Sequence, residues 1–149
     1  MIDLGKTARA ACGSGMPISG VAKVDATSGA LDTNFTVPNA LVQGVASTFL
    51  GSGSSLYVGG NFVTYRGVFV QALAKVDATN GVLDTTYNSG AGGVCNQGDG
   101  TQYCSGAVMS LTLLGNQLFI GSYYGETYRG AQAYYFYPVD PTTGALLDP

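Results

Sequence analysis

A repeated stretch of sequence constrains this chain more than any other feature. Residues 22–35 read AKVDATSGALDTNF, residues 74–87 read AKVDATNGVLDTTY, and residues 137–149 read YPVDPTTGALLDP. A second stretch also recurs, because LYVGGNFVTYRG at 56–67 is echoed by LFIGSYYGETYRG at 118–130. A chain with such internal similarity folds as copies of one small unit stacked side by side.

The spacing of the copies gives the size of the unit. Asp77 follows Asp25 by 52 positions (25 to 77), and Asp140 follows Asp77 by 63 positions (77 to 140). The difference of 11 (63 − 52) is assigned to a polar insertion in one loop, so the unit itself holds about fifty residues. Each unit contains four short apolar runs separated by turns. Four strands in a unit of about 40–50 residues are typical of a β-propeller blade.

The strand pattern predicts two and a half blades. Residues 18–36 form a half blade, 41–88 and 107–149 form one blade each, and the polar insertion at 89–106 separates the two blades. Residues 1–17 lack periodicity and are interpreted as an N-terminal arm or linker. A closed propeller needs at least about four blades, so one chain cannot close. The chain is a fragment of a longer one, a copy completed by other copies, or an open array of stacked units.

Each copy contains the same turn chemistry. Asp25, Asp77 and Asp140 each precede a glycine by four positions. An aspartate carboxylate can accept hydrogen bonds from backbone N–H groups two or three residues on, and glycine adopts positive φ without steric cost. We therefore interpret these aspartates as turn-forming. Calcium binding is the alternative, but it requires roughly six to eight oxygen ligands, and the repeat supplies few carboxylates.

The composition argues against several kinds of function. Charged residues make up 10% of the chain and the net charge is −3, so no basic surface for nucleic acid is expected. The chain has no histidine, which is the commonest general base and metal ligand. Its three cysteines include no Cys-x-x-Cys pair, so a zinc site is not expected. No apolar run reaches the ~18–20 residues of a membrane-spanning helix.

A second aspartate recurs in each copy, at Asp32, Asp84 and Asp148. A glycosidase would need two carboxylates about 5–10 Å apart across a cleft. Positions that recur with the repeat are better explained as turn and strand-end residues. We therefore expect no enzyme activity and no cofactor.

Cys95 and Cys104 flank a polar loop, NQGDGTQY. A disulfide between them would hold this loop, which has few apolar residues, and would indicate an oxidising, extracellular or cell-surface compartment. Two unrelated thiols are the alternative. Cys12 is then left over. The N-terminus lacks a signal-peptide apolar region, so either the export signal is missing from this sequence or export follows another route.

Five residues form a candidate recognition surface: Arg66, Arg129, Tyr123, Tyr124 and Tyr128. The two arginines occupy matching positions in Tyr-Arg-Gly. Either each stacks on its tyrosine or pairs with an aspartate of the next unit, or both are exposed for recognition. Tyrosine suits binding surfaces because it combines a large apolar area with a polar tip.

The repeat resembles a known group. LYVGGNF at 56–62, a polar link ending in Arg66-Gly67, and LAKVDATNGVLDTTY at 73–87 resemble the bacterial β-propeller repeat called the delta-sixty repeat. The resemblance covers residues 18–149 and departs in the third copy, where Ser-Tyr-Tyr at 122–124 replaces Gly-Asn-Phe. It implies an exported, repetitive protein and carries over no catalytic residues. A kelch-type propeller is the nearest alternative, but the chain lacks tryptophan.

These observations predict a non-enzymatic, extracellular structural repeat protein that self-assembles. The alternative is a carbohydrate- or protein-binding module. The half blade and the uncovered face of the last blade would be covered by other copies, head to tail, which gives a ring or a filament. The sparse charge offers little repulsion against such assembly. The arm at 1–17 is expected to strap neighbours together.

Overall fold

The computed structural model describes residues 20–36, 40–42, 44–87, 94–95, 106–123 and 127–147. Within these ranges the chain forms β-strands and no helix, which confirms the all-β expectation. The strands, in chain order, are β1 (Leu41–Val42), β2 (Val45–Ser52), β3 (Ser55–Asn61), β4 (Thr64–Tyr65), β5 (Val68–Phe69), β6 (Leu73–Asp77), β7 (Val94–Cys95), β8 (Val108–Leu114), β9 (Gln117–Ser122), β10 (Thr127–Tyr128), β11 (Ala131–Gln132) and β12 (Phe136–Val139).

The strands pair into four antiparallel sheets, none of them closed. Two sheets are large: β2-β3-β6 and β8-β9-β12, each with a β-bulge in its first strand. Two are small and consist of two-residue strands: β1-β4-β5 and β7-β10-β11. Each full unit therefore contains one large and one small sheet. We call residues 20–36, 40–87 and 94–147 the first, second and third units.

The predicted fourth strand of each unit is reduced to a single β-bridge. The bridges join Val24 to Leu31, Val76 to Leu83 and Val139 to Leu146. In the second unit the chain turns directly after its bridge, because Asp84 accepts the N–H groups of Thr86 and Tyr87. Backbone groups bonded to a side chain are not available for a longer ladder. The predicted half blade, in the same way, has one bridge and a turn instead of two strands.

Residues with positive φ separate two pairs of consecutive strands. Gly44, with a φ of 150°, lies between β1 and β2. A Cβ there would lie 1.6 Å from the carbonyl oxygen of Asn61, so this position requires glycine. β5 and β6 are likewise separated by Gln71 and Ala72, whose φ values are 46° and 67°. Left-handed residues cannot continue a pleated strand, so the chain passes there from the small sheet to the large one.

The predicted insertion 89–106 contains a strand of the repeat. β7 pairs with β10 as β1 pairs with β4, so the extra residues of the third unit lie between β7 and β8. Cys95 lies in β7. Cys104, Cys12 and the predicted arm 1–17 lie outside the described residues. The Cys95–Cys104 disulfide therefore stays a prediction.

Apolar clusters lie on both faces of the β2-β3-β6 sheet. Towards the first unit the cluster contains Leu56, Val58, Ala74 and Val76, with Val21 and Phe35 of the first unit. Towards the third unit it contains Tyr57, Ala72 and Leu73, with Val108, Leu111, Leu118, Ile120, Tyr137 and Val139 of the third unit. Burial on both faces explains the nearly continuous apolar sequence of β3. Each large side chain buried in this way contributes about 1.5–3 kcal/mol to stability.

Candidate interaction surface

Each unit ends in a turn built on an aspartate. In the second unit, Asp77 Oδ1 accepts the N–H groups of the residues two and three positions on, at 2.8 and 3.1 Å. Gly81, with φ at 67°, then donates its N–H to the carbonyl oxygen of Asp77 at 2.8 Å. The same bonds form at Asp25 and Asp140. The predicted turn-forming role of these aspartates is confirmed.

The second recurring aspartate, Asp32 in the first unit and Asp84 in the second, makes its ion pair and hydrogen bonds within its own unit. Asp32 pairs with Lys23 at 3.1 Å, and Asp84 pairs with Lys75 at 3.3 Å. Each also accepts two backbone N–H groups of the turn that follows it. Asp148 lies outside the described residues. Among the residues that the structure describes, no three acidic, cysteine or histidine side chains come together as a metal site.

The turn bonds favour the charged form of the carboxylates. The backbone N–H of Ser28 is the main cause that lowers the pKa of Asp25, and the backbone N–H of Thr143 does the same for the pKa of Asp140. A carboxyl group whose pKa is lower in the folded than in the unfolded state stabilises the fold above its unfolded pKa. That contribution is lost as the pH falls through the folded pKa.

We therefore expect the melting temperature to fall as the pH is lowered from 7 towards about 3, the range in which aspartates take up protons. The double variant Asp25→Asn, Asp140→Asn keeps an acceptor oxygen at each turn but removes the charge. The melting temperature of the variant should be lower than that of the wild type at pH 7, and it should change less with pH below about 4. Thermal melts of the wild type and of the variant at pH 7 and at about pH 3 test this. An acid dependence as steep in the variant as in the wild type would contradict it.

Arg66 and Arg129 occupy tight hairpin turns. Their φ values are 47° and 50°, and the glycines that follow, Gly67 and Gly130, have φ values of 81° and 79°. Two successive left-handed residues are typical of the type I′ turn, in which asparagine or aspartate usually precedes the glycine. A left-handed conformation costs an arginine about 1–3 kcal/mol, so other contacts must compensate.

The Arg66 side chain joins the first unit to the second. Its guanidinium donates to the carbonyl oxygen of Phe35 in the first unit at 2.6 Å and to that of Asn80 in the second at 3.0 Å. Its Cζ lies 5.7 Å from the ring centroid of Tyr65. Stacking of the arginine on its own tyrosine is therefore confirmed.

Arg129 repeats this arrangement one unit later. It donates to the carbonyl oxygens of Tyr87 in the second unit and Thr143 in the third. Its Cζ lies 5.1 Å from the ring centroid of Tyr87 and 5.4 Å from that of Tyr128. We call this recurring contact the arginine clasp. Because each guanidinium group donates to carbonyl oxygens of two neighbouring units, the clasp holds these units in register.

The tyrosines of the predicted recognition surface differ in exposure. Tyr123 is 62% exposed, as a recognition residue should be. Tyr128 is only 1% exposed and packs on Tyr137 with ring centroids 5.4 Å apart, so it lies in the interior of the protein. Burial raises the pKa of both Tyr128 and Tyr137, which therefore stay neutral. Tyr124 lies outside the described residues.

The second and third units approach closely because Gly59 leaves room for Val108. A Cβ at Gly59 would lie 2.6 Å from Cγ1 of Val108 and 2.8 Å from Cγ2 of Thr48. On the same face the hydroxyl of Tyr57 donates to the carbonyl oxygen of Pro141 at 2.6 Å. We call this face of the β2-β3-β6 sheet the covered face.

The β8-β9-β12 sheet has one buried and one exposed face. Leu118 and Ile120 point towards the second unit and have no exposed surface. We call the opposite face the outer face, and the strand register places on it Ser110, Thr112, Leu114, Gln117, Phe119, Gly121, Phe136 and Pro138. The rings of Phe119 and Phe136 stack there, with centroids 5.2 Å apart and planes 15° apart. Phe136 is 64% exposed, and the three strands carry no charged residue.

The outer face corresponds to the covered face one unit earlier. In the repeat, Phe119 matches Tyr57, Phe136 matches Leu73 and Pro138 matches Lys75. The N–H of Leu147 donates to the carbonyl oxygen of Pro138 as the N–H of Asp84 donates to that of Lys75, so Leu147, and not the predicted Asp148, takes the place of Asp84. Tyr57 and Leu73 are 3% and 1% exposed, far less than Phe136. The ion pair between Lys75 and Asp84 is thus replaced by two apolar residues. The outer face therefore corresponds in position to a contact between units, but it lacks the charged pair, Lys75 and Asp84, that the covered face contains.

No known protein family, no curated protein and no solved structure matches this chain. The described residues include no helix that is long and apolar enough to cross a membrane.

An uncovered face on the last predicted blade was expected from the sequence, but the residues that lie on it were not identified. The sequence signal that points to them is the joint change of Lys75 to Pro138 and of Asp84 to Leu147 between matching positions. Two partners of an ion pair that become apolar together indicate a changed environment on that face.

Proposed function

We propose that this protein is a non-enzymatic structural repeat protein, built of propeller-type blades, that self-assembles into a homo-oligomer or filament. The observation that carries the proposal is the exposure of the outer face. Residues there match positions that are buried between units one repeat earlier, yet Phe136 is 64% exposed. Contiguous exposed apolar surface of this kind marks interaction sites in soluble proteins.

The contacts between the units support a scaffold. The arginine clasp recurs at Arg66 and Arg129, and in each case it binds the turn of the preceding unit. Units that contact only their neighbours form extended arrays, as solenoid repeats do. The resemblance to the delta-sixty repeat favours blades as the form of the unit.

Hydrodynamic size tests the proposal. In sedimentation velocity over about 0.1–100 μM, where weak to moderate self-association is populated, we expect a concentration-dependent species heavier than the 15.2 kDa monomer. The control is the same series at high dilution, where the heavier species should dissociate. A folded monomer at every concentration would end the proposal.

A carbohydrate- or protein-binding module is the second candidate, and one observation favours it. Tyr134, Tyr135 and Phe136 are consecutive and are 68%, 64% and 64% exposed. Exposed aromatic rings offer apolar faces and polar tips that suit both sugars and proteins. Glycan-array binding by a monomeric sample, abolished in Tyr135→Ala, would favour this function over assembly.

An extracellular location is part of the proposal, and the predicted Cys95–Cys104 disulfide supports it. Peptide mapping by mass spectrometry after alkylation of free thiols shows whether Cys95 and Cys104 are joined. Both thiols alkylated in a protein prepared under oxidising conditions would remove this support.

A further inference from the structure

We infer that the outer face of the third unit binds the same face of a second copy of this chain around a two-fold axis. The inference rests on the proposed self-assembly and specifies its contact. It replaces a head-to-tail contact by an isologous one, so that the product is a closed dimer of two chains.

A second copy of this chain is the partner of the outer face, because this face corresponds to one that already binds a neighbouring unit of the same chain. One repeat earlier, the matching face is the interface between the second and third units, with Gly59 closely approached by Val108. Gly121 matches Gly59, and a Cβ at Gly121 would meet only atoms of Ser110 in its own sheet. The outer face is therefore open at the point where the covered face receives its neighbour.

Suppose that a further unit docked on the outer face in the way that the third unit docks on the covered face of the second. Such a unit would fit the outer face poorly. Ala72, 1% exposed, packs in the cluster between the second and third units, and the matching position holds Tyr135, 64% exposed. The larger side chain occupies space that an incoming unit would need. Within the described part of the first unit, the positions that match Tyr137 and Val139 carry Ala22 and Val24, which offer a head-to-tail contact less apolar surface.

The chemistry of the outer face suits contact with itself. Its three strands carry no charged residue, so two copies of the face meet without repulsion between like charges. The stacked pair of Phe119 and Phe136 presents a flat apolar surface, and aromatic rings pack well on one another in offset geometry. Closed two-fold dimers are also the commonest form of homo-oligomer.

The test uses two charge variants of one exposed residue, Phe136→Lys and Phe136→Glu. In a two-fold contact each variant brings its charge into the same interface as the equal charge of the partner. The dissociation constant of each variant should therefore rise at least about tenfold. An equimolar mixture places lysine against glutamate and should restore the dimer. Because Phe136 is 64% exposed, both variants should fold, which circular dichroism and thermal melting check.

Phe69→Lys is the matched control. Phe69 is an exposed phenylalanine, 42% accessible, in a different sheet, so this variant should dimerise like the wild type. Sedimentation equilibrium of each variant and of the mixture gives the association constants. If both Phe136 variants dissociate and the mixture stays monomeric, the contact is heterologous and the two-fold inference is overturned, while self-assembly stands.

The remaining outcomes are also decisive. Assembly that is unchanged in both Phe136 variants would place the contact elsewhere and overturn the inference alone. A wild type that is monomeric throughout would overturn both the inference and the proposed function. Heterodimers formed only by the mixed variants are the supporting result.

Discussion

Gly59→Ala should lower the free energy of unfolding by about 2 kcal/mol, because overpacking a close contact forces side chains and backbone apart. The added methyl group would lie 2.6 Å from Cγ1 of Val108 in the third unit and 2.8 Å from Cγ2 of Thr48. Real Cβ atoms do not approach carbon atoms so closely. The second and third units must therefore move apart, and the apolar cluster between them loses contacts along its length.

The matching position one repeat later supplies the control. Gly121→Ala would meet the hydroxyl of Ser110, which can rotate away, and no neighbouring unit. Its effect on stability should be less than about 1 kcal/mol, as for substitutions without a named destabilising mechanism. Urea denaturation of both variants, at a dilution where the chain is monomeric, measures the two losses without a contribution from association. Equal losses would contradict the close approach of the second and third units at Gly59.

Arg129→Ala should lower the free energy of unfolding by about 2–3 kcal/mol, because hydrogen bonds from a charged group contribute about 1.5–3 kcal/mol each and the truncation leaves carbonyl oxygens without a donor. The bonds concerned run to Tyr87 and Thr143. The alanine would also have to keep a left-handed φ, which arginine holds at 50°. Arg129→Lys should recover less than half of the loss, because an ammonium group cannot fork to two carbonyl oxygens in fixed geometry.

Gln132→Ala is the control for this series, since Gln132 is exposed on the same hairpin and is not part of the clasp. It should change stability by no more than about 0.5 kcal/mol. Chemical denaturation followed by tyrosine fluorescence measures all three variants, because Tyr87 and Tyr128 lie beside the guanidinium. A lysine variant as stable as the wild type would show that the forked bonds contribute nothing beyond the charge.

The parts of the fold that depend on local chemistry could be predicted from the sequence. The aspartate turns were predicted because the acceptor and the glycine stand four positions apart, within one turn. The all-β class followed from short apolar runs without helical periodicity. The repeat also placed Arg66 and Arg129 at equivalent positions, and stacking on tyrosine was among the alternatives for them.

The parts that depend on contacts between units could not be predicted. Gln71 and Ala72 give no sequence signal of a left-handed bend, which arises where the chain passes between two sheets. Tyr128 resembles an exposed tyrosine in sequence, but it is buried by Tyr137 of its own unit and by the apolar cluster shared with the second unit. The faces of β9 are equally apolar in sequence at Phe119 and Ile120, so the neighbouring unit alone decides which one is covered.

The arginine clasp also affects how the chain opens. Arg129 shapes a hairpin of the third unit with its backbone and holds the last turn of the second unit with its side chain. Local unfolding of the third unit therefore releases the carbonyl oxygen of Tyr87 and exposes the covered face at the same time. The second and third units should thus open together, as one cooperative unit. Amide hydrogen exchange in the turn before Tyr87, in the second unit, then reports the opening of the third unit, although the two are distant in sequence.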